Sequence, residues 1–351
     1  MVANSTVHFI NDNYQILNQF LRENKFSKIF IIVDENTNEY CLPYFLPQLE
    51  TEVALEIIEL EPGEENKTIE TCVQVWEALT ELGADRKSLI INIGGGVITD
   101  MGAFIASTFK RGIAFINVPT TLLSMVDASV GGKNGVDLGG LKNQIGTITQ
   151  PEMVLIDSNY LQTLSQREMQ SGLAEMLKHG LIANKAHWDK FKNITEINFD
   201  EFDSLIEESV AIKAKIVEED PKENGIRKAL NFGHTLGHAI ETYFLDNPEK
   251  ERLLHGEAIA CGMILESYIS VTKRLLKAEE YMEIKNQLMT IYDPITFEKN
   301  DINQIIELLI HDKKNEFGKI QFSLLDKIGN CIINQTTDNE TIISAFKDYR
   351  N

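Results

Sequence analysis

The 351-residue sequence predicts an α/β domain with a doubly wound parallel sheet, followed by a helical domain. Three observations carry that expectation. Short, evenly apolar, β-branched runs alternate with helical stretches in the first half. A triple glycine follows the strongest of those runs. Past about residue 160 the apolar spacing changes to threes and fours. No Pro/Ser-rich linker separates the halves, and the expected domains are residues 1–160 and 161–351.

The strands come first. Lys28–Val33, Val53–Leu60 and Ser88–Ile93 are too short and too uniformly apolar for surface helices, and read as buried parallel strands. Phe115–Val118, stopped by Pro119, is a fourth. Between the second and third, Asn66–Leu82 sets Ile69, Val73, Trp76 and Leu79 at helical spacing, with Gly83 as its stop. A helix over Met101–Thr108 follows the glycines. Strand, helix, strand, glycine loop, helix is Rossmann-like grammar. In the second half, helices are expected over Arg167–Ala183, Phe202–Val217, Ala229–Phe244, Gly256–Leu276, Ala278–Ile291 and Ile302–Ile310. Lys319–Leu325 and Gly329–Asn334 alternate instead and predict a small hairpin.

Hydrophobic residues make up 43% and charged residues 25%, ordinary values for a soluble globular protein. The net charge of −20 repels phosphate backbones and anionic lipid, so neither nucleic acid nor membrane is an expected partner. No apolar run approaches the roughly 18–20 residues of a membrane span. The N-terminal stretch MVANSTVHFINDNYQ lacks a basic start and an apolar core. The four cysteines (Cys41, Cys72, Cys261, Cys331) are scattered, with no CxxC. A cytoplasmic location is expected.

Two segments carry chemistry. Gly94-Gly95-Gly96-Val97-Ile98-Thr99-Asp100 links a strand to a helix, where glycines let backbone N–H groups approach a phosphate at a helix N-terminus. The alternative is a tight turn that binds nothing. Between Met101 and Gln150 stand Lys110, Arg111, Lys133 and Lys142 against Asp127 and Asp137, a local net charge of +2 in an acidic chain. Lys133 and Lys142, set among glycines on expected loops, suit an anionic small molecule. In the helical half, Glu175 and Lys178 share a helix face, as do His234 and His238, and His255 opens a long apolar helix. A carboxylate with two imidazoles suits Zn2+ with an open position, making an all-α C-terminal metal-binding domain. The plainer alternatives are a pair of core histidines and an intrahelical ion pair. Spacing alone does not say which two histidines bind.

GGGVITD, KRG, VPTTLLSMVDASVGGKNGVD, LKNQIG, GLAEMLKHG, GIRKALNFGHTLGHAIE, LHGEAIACGM and DKKNEFGKI occur in this order, within a stretch from about Pro62 to Gly329. In these motifs the chain resembles the 3-dehydroquinate synthase family of sugar phosphate cyclases. The resemblance implies a homodimeric, NAD-dependent enzyme carrying Zn2+ or Co2+. Its substrate would be 3-deoxy-D-arabino-heptulosonate 7-phosphate and its products 3-dehydroquinate and phosphate. Transient oxidation of a secondary alcohol, phosphate elimination, re-reduction and an internal aldol closure would connect them.

By match to the family motifs, Glu175, His234 and His255 become the metal ligands, with His238 a supporting or proton-handling residue. Implied cofactor contacts are the turn Pro62, Gly63, Glu64, Glu65, Asn66 and Lys67, and the segment Gly94, Gly95, Gly96, Val97, Ile98, Thr99 and Asp100. Thr120, Thr121, Lys133, Lys142, Tyr160, Leu161, Gln162 and Thr163 complete them. Implied substrate-handling positions are Arg111, Asp127, Lys133, Lys142, Asn143, Lys178, Lys213, Arg227, Asn231, His238 and Lys313. Asn134 and Thr99 depart from the residues usual in the family. Related cyclases that make deoxy-inosose or valiolone rings alter the carboxylate-holding residues, whereas Arg227, Asn231 and His238 keep the family form. A metal-dependent polyol dehydrogenase would accumulate NADH, and a non-enzymatic binding protein would not need the intact Glu175, His234, His255 and Lys133.

Overall fold

The computed structural model describes residues 6–10, 13–139, 141–192, 199–309 and 320–350. The chain divides into two compact units, Met1–Ser165 and Gln166–Asn351.

The first unit runs β1 (Val7–Phe9), α1 (Gln15–Glu23), β2 (Ile29–Asp34), α2 (Glu35–Tyr40), α3 (Leu42–Phe45), β3 (Leu55–Leu60) and α4 (Ile69–Glu81). It continues through β4 (Leu89–Gly94), α5 (Gly96–Thr108), β5 (Ala114–Pro119), β6 (Lys133–Leu138), β7 (Leu141–Ile148) and β8 (Met153–Ile156). Six strands form one sheet in the order β1-β8-β5-β4-β2-β3, every described pairing parallel. β2 and β4 are buried along nearly their whole length because helices cover both faces, which is why they read as unbroken apolar runs. The chain leaves β2 toward β3 and leaves β4 toward β5, so the winding reverses between β2 and β4. Gly83 ends α4 as expected: its φ is 77°, and Ala84 N–H reaches Leu79 O while Gly83 N–H reaches Thr80 O, a Schellman stop.

Two expectations change here. β1 and β8 extend the four expected strands, both being too short for periodicity to register. Lys133 and Lys142 lie not on loops but in the paired antiparallel strands β6 and β7. Gly135 faces Gly146 across the pair, and a Cβ on Gly135 would lie 2.6 Å from Ile145 O, so glycine here serves close strand pairing.

The second unit runs α6 (Gln166–Ala183), α7 (Lys185–Lys190), α8 (Phe199–Glu219), α9 (His234–Asp246), α10 (His255–Thr272), α11 (Ala278–Ile291) and α12 (Lys299–Leu308). β9 (Phe322–Lys327), β10 (Asn330–Gln335) and α13 (Asn339–Tyr349) follow. It is helical with one hairpin rather than all-α. The expected helix from Ala229 is broken: a 3₁₀ turn over Ile226–Asn231 ends, Gly233 turns left-handed at φ 78°, and α9 starts at His234. Among the described residues, no helix is long and apolar enough to cross a membrane.

Candidate active site

In the first unit the reversal of winding places the carboxyl ends of β2, β4 and β5 side by side, the usual ligand position of an open α/β sheet. β4 ends at Gly94, Gly95 caps α5, and α5 begins at Gly96, five residues earlier than the sequence suggested. Thr99 sits inside its first turn, the hydroxyl donating to Gly95 O at 3.1 Å. Ile98 and Thr99 are buried, so only backbone is on offer from them, and the first amides of α5 lack intrahelical acceptors. The three glycines differ in purpose. A Cβ on Gly94 would lie 2.5 Å from Ile98 Cβ, and one on Gly95 3.1 Å from Thr121 Cγ2. On Gly96 it would meet Ala128 Cβ at an ordinary 3.5 Å. Packing within the unit requires the first two and not the third.

Beside this turn lies a polar network. Lys67 is buried, its Nζ 2.7 Å from Asp100 Oδ2 and 2.8 Å from Asn143 Oδ1. Asn143 N–H donates to Asp137 Oδ1, and Lys142 Nζ lies 3.2 Å from Glu64 Oε1. Burial opposes the charge on Lys67, yet Asp100, Glu64 and Asp137 together raise its pKa above the usual lysine value. Burial also raises the Asp100 carboxyl, against the pull of Lys67. The Pro62–Lys67 turn, Asp100, Lys142 and Asn143 thus form one cluster. Thr120 N–H donates to Gly94 O and Thr121 bonds Ser124, which keeps both at the same strand ends.

The segment Tyr160–Thr163 follows the carboxyl end of β8, and Cys41 contacts both Thr163 and Thr120. Tyr14 and Tyr44 donate to the buried Asp157 carboxylate, and Tyr160 OH lies 3.0 Å from Tyr14 OH. Tyr160 and Leu161 are buried, leaving Gln162 and Thr163 exposed. Arg111 stands apart: it is exposed and left-handed at φ 72°, beyond the far end of α5, about 20 Å of helix from Gly96. Asp127 lies on a π-helical turn over Ser124–Ala128. The departures from family pattern are accommodated locally, Asn134 donating to Thr149 O.

In the second unit three helices meet at one point. On α6, Ser171 and Glu175 share a face one turn apart. Ser171 Oγ accepts from Gly256 N–H, and a Cβ on Gly256 would lie 2.1 Å from Ser171 O, so α10 starts directly against α6 with His255 beside Glu175. α9 closes on α10 through glycines: a Cβ on Gly262 would lie 2.0 Å from Gly233 O. The result sets His234 Nε2 3.4 Å and His255 Nε2 3.7 Å from Glu175 Oε1. These exceed the length of good charge-assisted hydrogen bonds. Glu175 Oε1 is fully buried and accepts no hydrogen bond. Ligand atoms about 2.0–2.2 Å from a tetrahedral ion sit about 3.3–3.6 Å apart; the 3.4 Å separation lies in that range and the 3.7 Å one just above it.

The partners behind the rings point the same way. His234 Nδ1 lies 3.0 Å from Phe232 O; a carbonyl can only accept, so Nδ1 carries the hydrogen and neutral Nε2 keeps its lone pair. His255 Nδ1 lies 3.2 Å from Glu241 Oε2. Lys178 Nζ pairs with Glu175 Oε2, leaving Oε1 to the imidazoles. Burial and the Lys178 charge lower His234 to about 4, whereas at His255 burial is outweighed by Glu241 and Glu175, raising it to about 9. At Glu175, burial is overcome by Lys178 and His234, and the carboxyl falls well below its usual range. His234 stands at the first residue of α9, where the positive end of the dipole adds to the forces that keep its imidazole neutral, whereas at His255 the two carboxylates outweigh the same helix end. The chemistry of this donor set can hold a divalent ion.

His238 belongs to the same cluster. Its ring centroid is 5.0 Å from His234 and 5.7 Å from His255, and one nitrogen from each of the three rings lies within 4.8 Å of the others. Lys213 and Arg227 are buried, Arg227 donating through Nη1 to Pro221 O, and Asn231 donates to Glu223. Lys313 lies outside the described residues. Sequence reasoning passed over Ser171, Glu241 and Glu266. Glu241 had a signal, standing seven residues after His234 on the same helix face.

Comparison with known proteins identifies the family. Models of the 3-dehydroquinate synthase N-terminal and C-terminal regions match residues 57–171 and 172–315. A 3-dehydroquinate synthase of Parabacteroides distasonis is 43% identical over 336 residues, covering 95% of this chain and 94% of that one. One from Campylobacter jejuni subsp. doylei is 36% identical, covering 96% and 97%. Among solved structures, a 2-deoxy-scyllo-inosose synthase complexed with carbaglucose-6-phosphate, NAD+ and Co2+ superposes with a TM-score of 0.82 at 25% identity, covering 97% and 96%. An iron-containing alcohol dehydrogenase shares the fold at a TM-score of 0.66 and 15% identity, covering 98% and 96%. The chain belongs to the 3-dehydroquinate synthase family, enzymes that eliminate phosphate and cyclize.

Proposed function

We propose that the chain converts 3-deoxy-D-arabino-heptulosonate 7-phosphate into 3-dehydroquinate and phosphate, using NAD and a Zn2+ or Co2+ ion held by Glu175, His234 and His255. One observation carries the reading: a buried carboxylate oxygen that accepts no hydrogen bond, with two imidazole nitrogens at 3.4 and 3.7 Å. When bound, NAD stores a hydride transiently while the ion draws charge from the substrate hydroxyl being oxidised.

The chain's own groups do the rest. Lys178 keeps Glu175 ionised and fixes which of its oxygens faces the imidazoles. Glu241 and Phe232 O orient the two rings. Lys178, Lys213 and Arg227 bring buried positive charge to a substrate that carries both phosphate and carboxylate. Asn231 orients the substrate, and His238 moves a proton. Lys67 and Asp100 hold the glycine turn, whose amides take the cofactor's phosphates. In this reading residues 1–160 are the NAD-binding domain and 161–351 the metal- and substrate-binding domain of a cytoplasmic homodimer. Sedimentation checks the last point.

The activity test uses the metal-loaded protein with NAD and the heptulosonate phosphate. Stoichiometric phosphate release without net NADH is the expected result. Turnover of glucose 6-phosphate in its place, or steady accumulation of NADH on a polyol, overturns the proposal.

A further inference from the structure

Glu266 lies on α10, eleven residues after His255, and is fully buried directly after the uncharged run Ala258–Leu265. Eleven residues is just over three full turns, so Glu266 returns to the stripe of α10 that carries His255, Ile259 and Gly262. That stripe faces α9. Glu266 Oε2 accepts from Gly233 N–H at 2.7 Å and Oε1 from Leu236 N–H at 3.0 Å. The two donors flank His234. Gly233 has no side-chain cap to offer the helix it opens, so a carboxylate from the neighbouring helix does the capping.

The contact has a mirror image. α9 sends Glu241 to the Nδ1 of His255, at the start of α10. α10 sends Glu266 to the amides around His234, at the start of α9. Each helix therefore fixes, through a buried carboxylate, the histidine of the other. The glycines at the crossing allow it: with Gly233 O and a Cβ on Gly262 only 2.0 Å apart, any larger residue would push α9 off the reach of Glu266.

We propose that Glu266 is a positioning residue of the metal site: by capping α9 through both oxygens it sets the place of His234 Nε2 opposite Glu175. The inference rests on the metal-site reading given above. Its physical content is that two separate acceptors are needed. Glutamine keeps the size and one acceptor oxygen but turns an NH2 toward the second amide, so one N–H loses its partner and the first turn of α9 shifts. A cap that only stabilised the helix would lower stability without altering how the ion is held.

The test is a Co2+ titration of metal-free protein, followed by visible absorption, on wild type, Glu266→Gln and Glu175→Ala. Glu266→Gln is expected to bind Co2+ about 10- to 100-fold more weakly and with a shifted d–d band, its far-ultraviolet circular dichroism unchanged. Wild-type affinity and an unshifted band in Glu266→Gln overturn the inference. Should Glu175→Ala also bind Co2+ as wild type does, the metal-site reading itself falls; loss of Co2+ in Glu175→Ala alone leaves that reading standing and removes only Glu266. If Glu266→Gln fails to fold, hydrogen exchange of the metal-free wild type decides. Protection of the Gly233 and Leu236 amides by at least about a hundredfold is expected, and exchange at the rate of an unstructured chain contradicts the cap.

Discussion

The two candidate sites handle charge in opposite ways. In the first unit, Lys67 meets Asp100 and Asn143, Lys142 meets Glu64, and Asn143 meets Asp137: the charged side chains beside the glycine turn satisfy one another. What remains for a ligand there is backbone. In the second unit, Glu175 Oε1 is buried without a hydrogen bond, opposite two imidazole nitrogens whose other faces are fully engaged. Leaving that oxygen unsatisfied costs about 1–3 kcal/mol even with Lys178 on the other oxygen, and a bound cation relieves it. A nucleotide site can be complete before its ligand binds; a metal site advertises the missing charge.

The largest effect expected from this contrast falls on Glu175. Glu175→Gln should lose stoichiometric metal and lower activity on the order of a thousandfold, since the ion supplies several kcal/mol to the transition state. Metal analysis after dialysis checks it, and near-normal turnover with bound metal would erase the distinction between the units. Next comes Lys67, whose role is internal to its network. Lys67→Met leaves Asp100 largely buried beside no cation and should cost about 3 kcal/mol in urea unfolding. The double variant with Asp100→Asn should recover more than half of that; additive losses would show that the pair is not coupled.

Two glycines sharpen the comparison further. Gly262→Ala forces a Cβ against Gly233 O and should cost about 1–3 kcal/mol while weakening metal binding. Gly96→Ala meets only an ordinary contact and should stay within about 0.5 kcal/mol of wild type in stability. Its NAD affinity should nevertheless fall, because the missing side chain there is needed by the ligand and not by packing. Unchanged NAD binding in Gly96→Ala would return the triple glycine to a plain turn.

The smallest effect belongs to His187, away from either site. It is buried, and desolvation lowers its pKa despite a contact with Glu208 at 3.0 Å. A folded-state pKa below the unfolded value near 6.5 means that the unfolded chain takes up a proton the folded one refuses. Stability should therefore fall as pH drops below about 6.5, by at most about 1.4 kcal/mol per pH unit, and His187→Asn should remove that slope. Chemical denaturation at pH 5.5 and 7.5 measures it.

Much of this was legible in the sequence, for reasons that also explain the gaps. Buried parallel strands announce themselves as apolar runs, so β2, β4 and β5 could be read, whereas three-residue β1 could not. Glycine is ambiguous: SVGGKNG and DLGGLKN read as loops, yet Lys133 and Lys142 lie in paired strands, and Gly135 faces Gly146 where the two strands pass too closely for side chains. Glu175, His234 and His255 could be picked out by residue type. Gly256 against Ser171 and Gly262 against Gly233, which bring them together, depend on helix crossings that no local pattern encodes. Glu266 was hidden for the same reason, a single acid whose partners are amides 30 or more residues away.

Anomalous diffraction from crystals loaded with Zn2+ tests the central claim most directly. The account predicts one ion bound within about 2.2 Å of Glu175, His234 Nε2 and His255 Nε2, with His238 outside that distance. An ion held by His234, His238 and His255, with Glu175 left to Lys178, would contradict it.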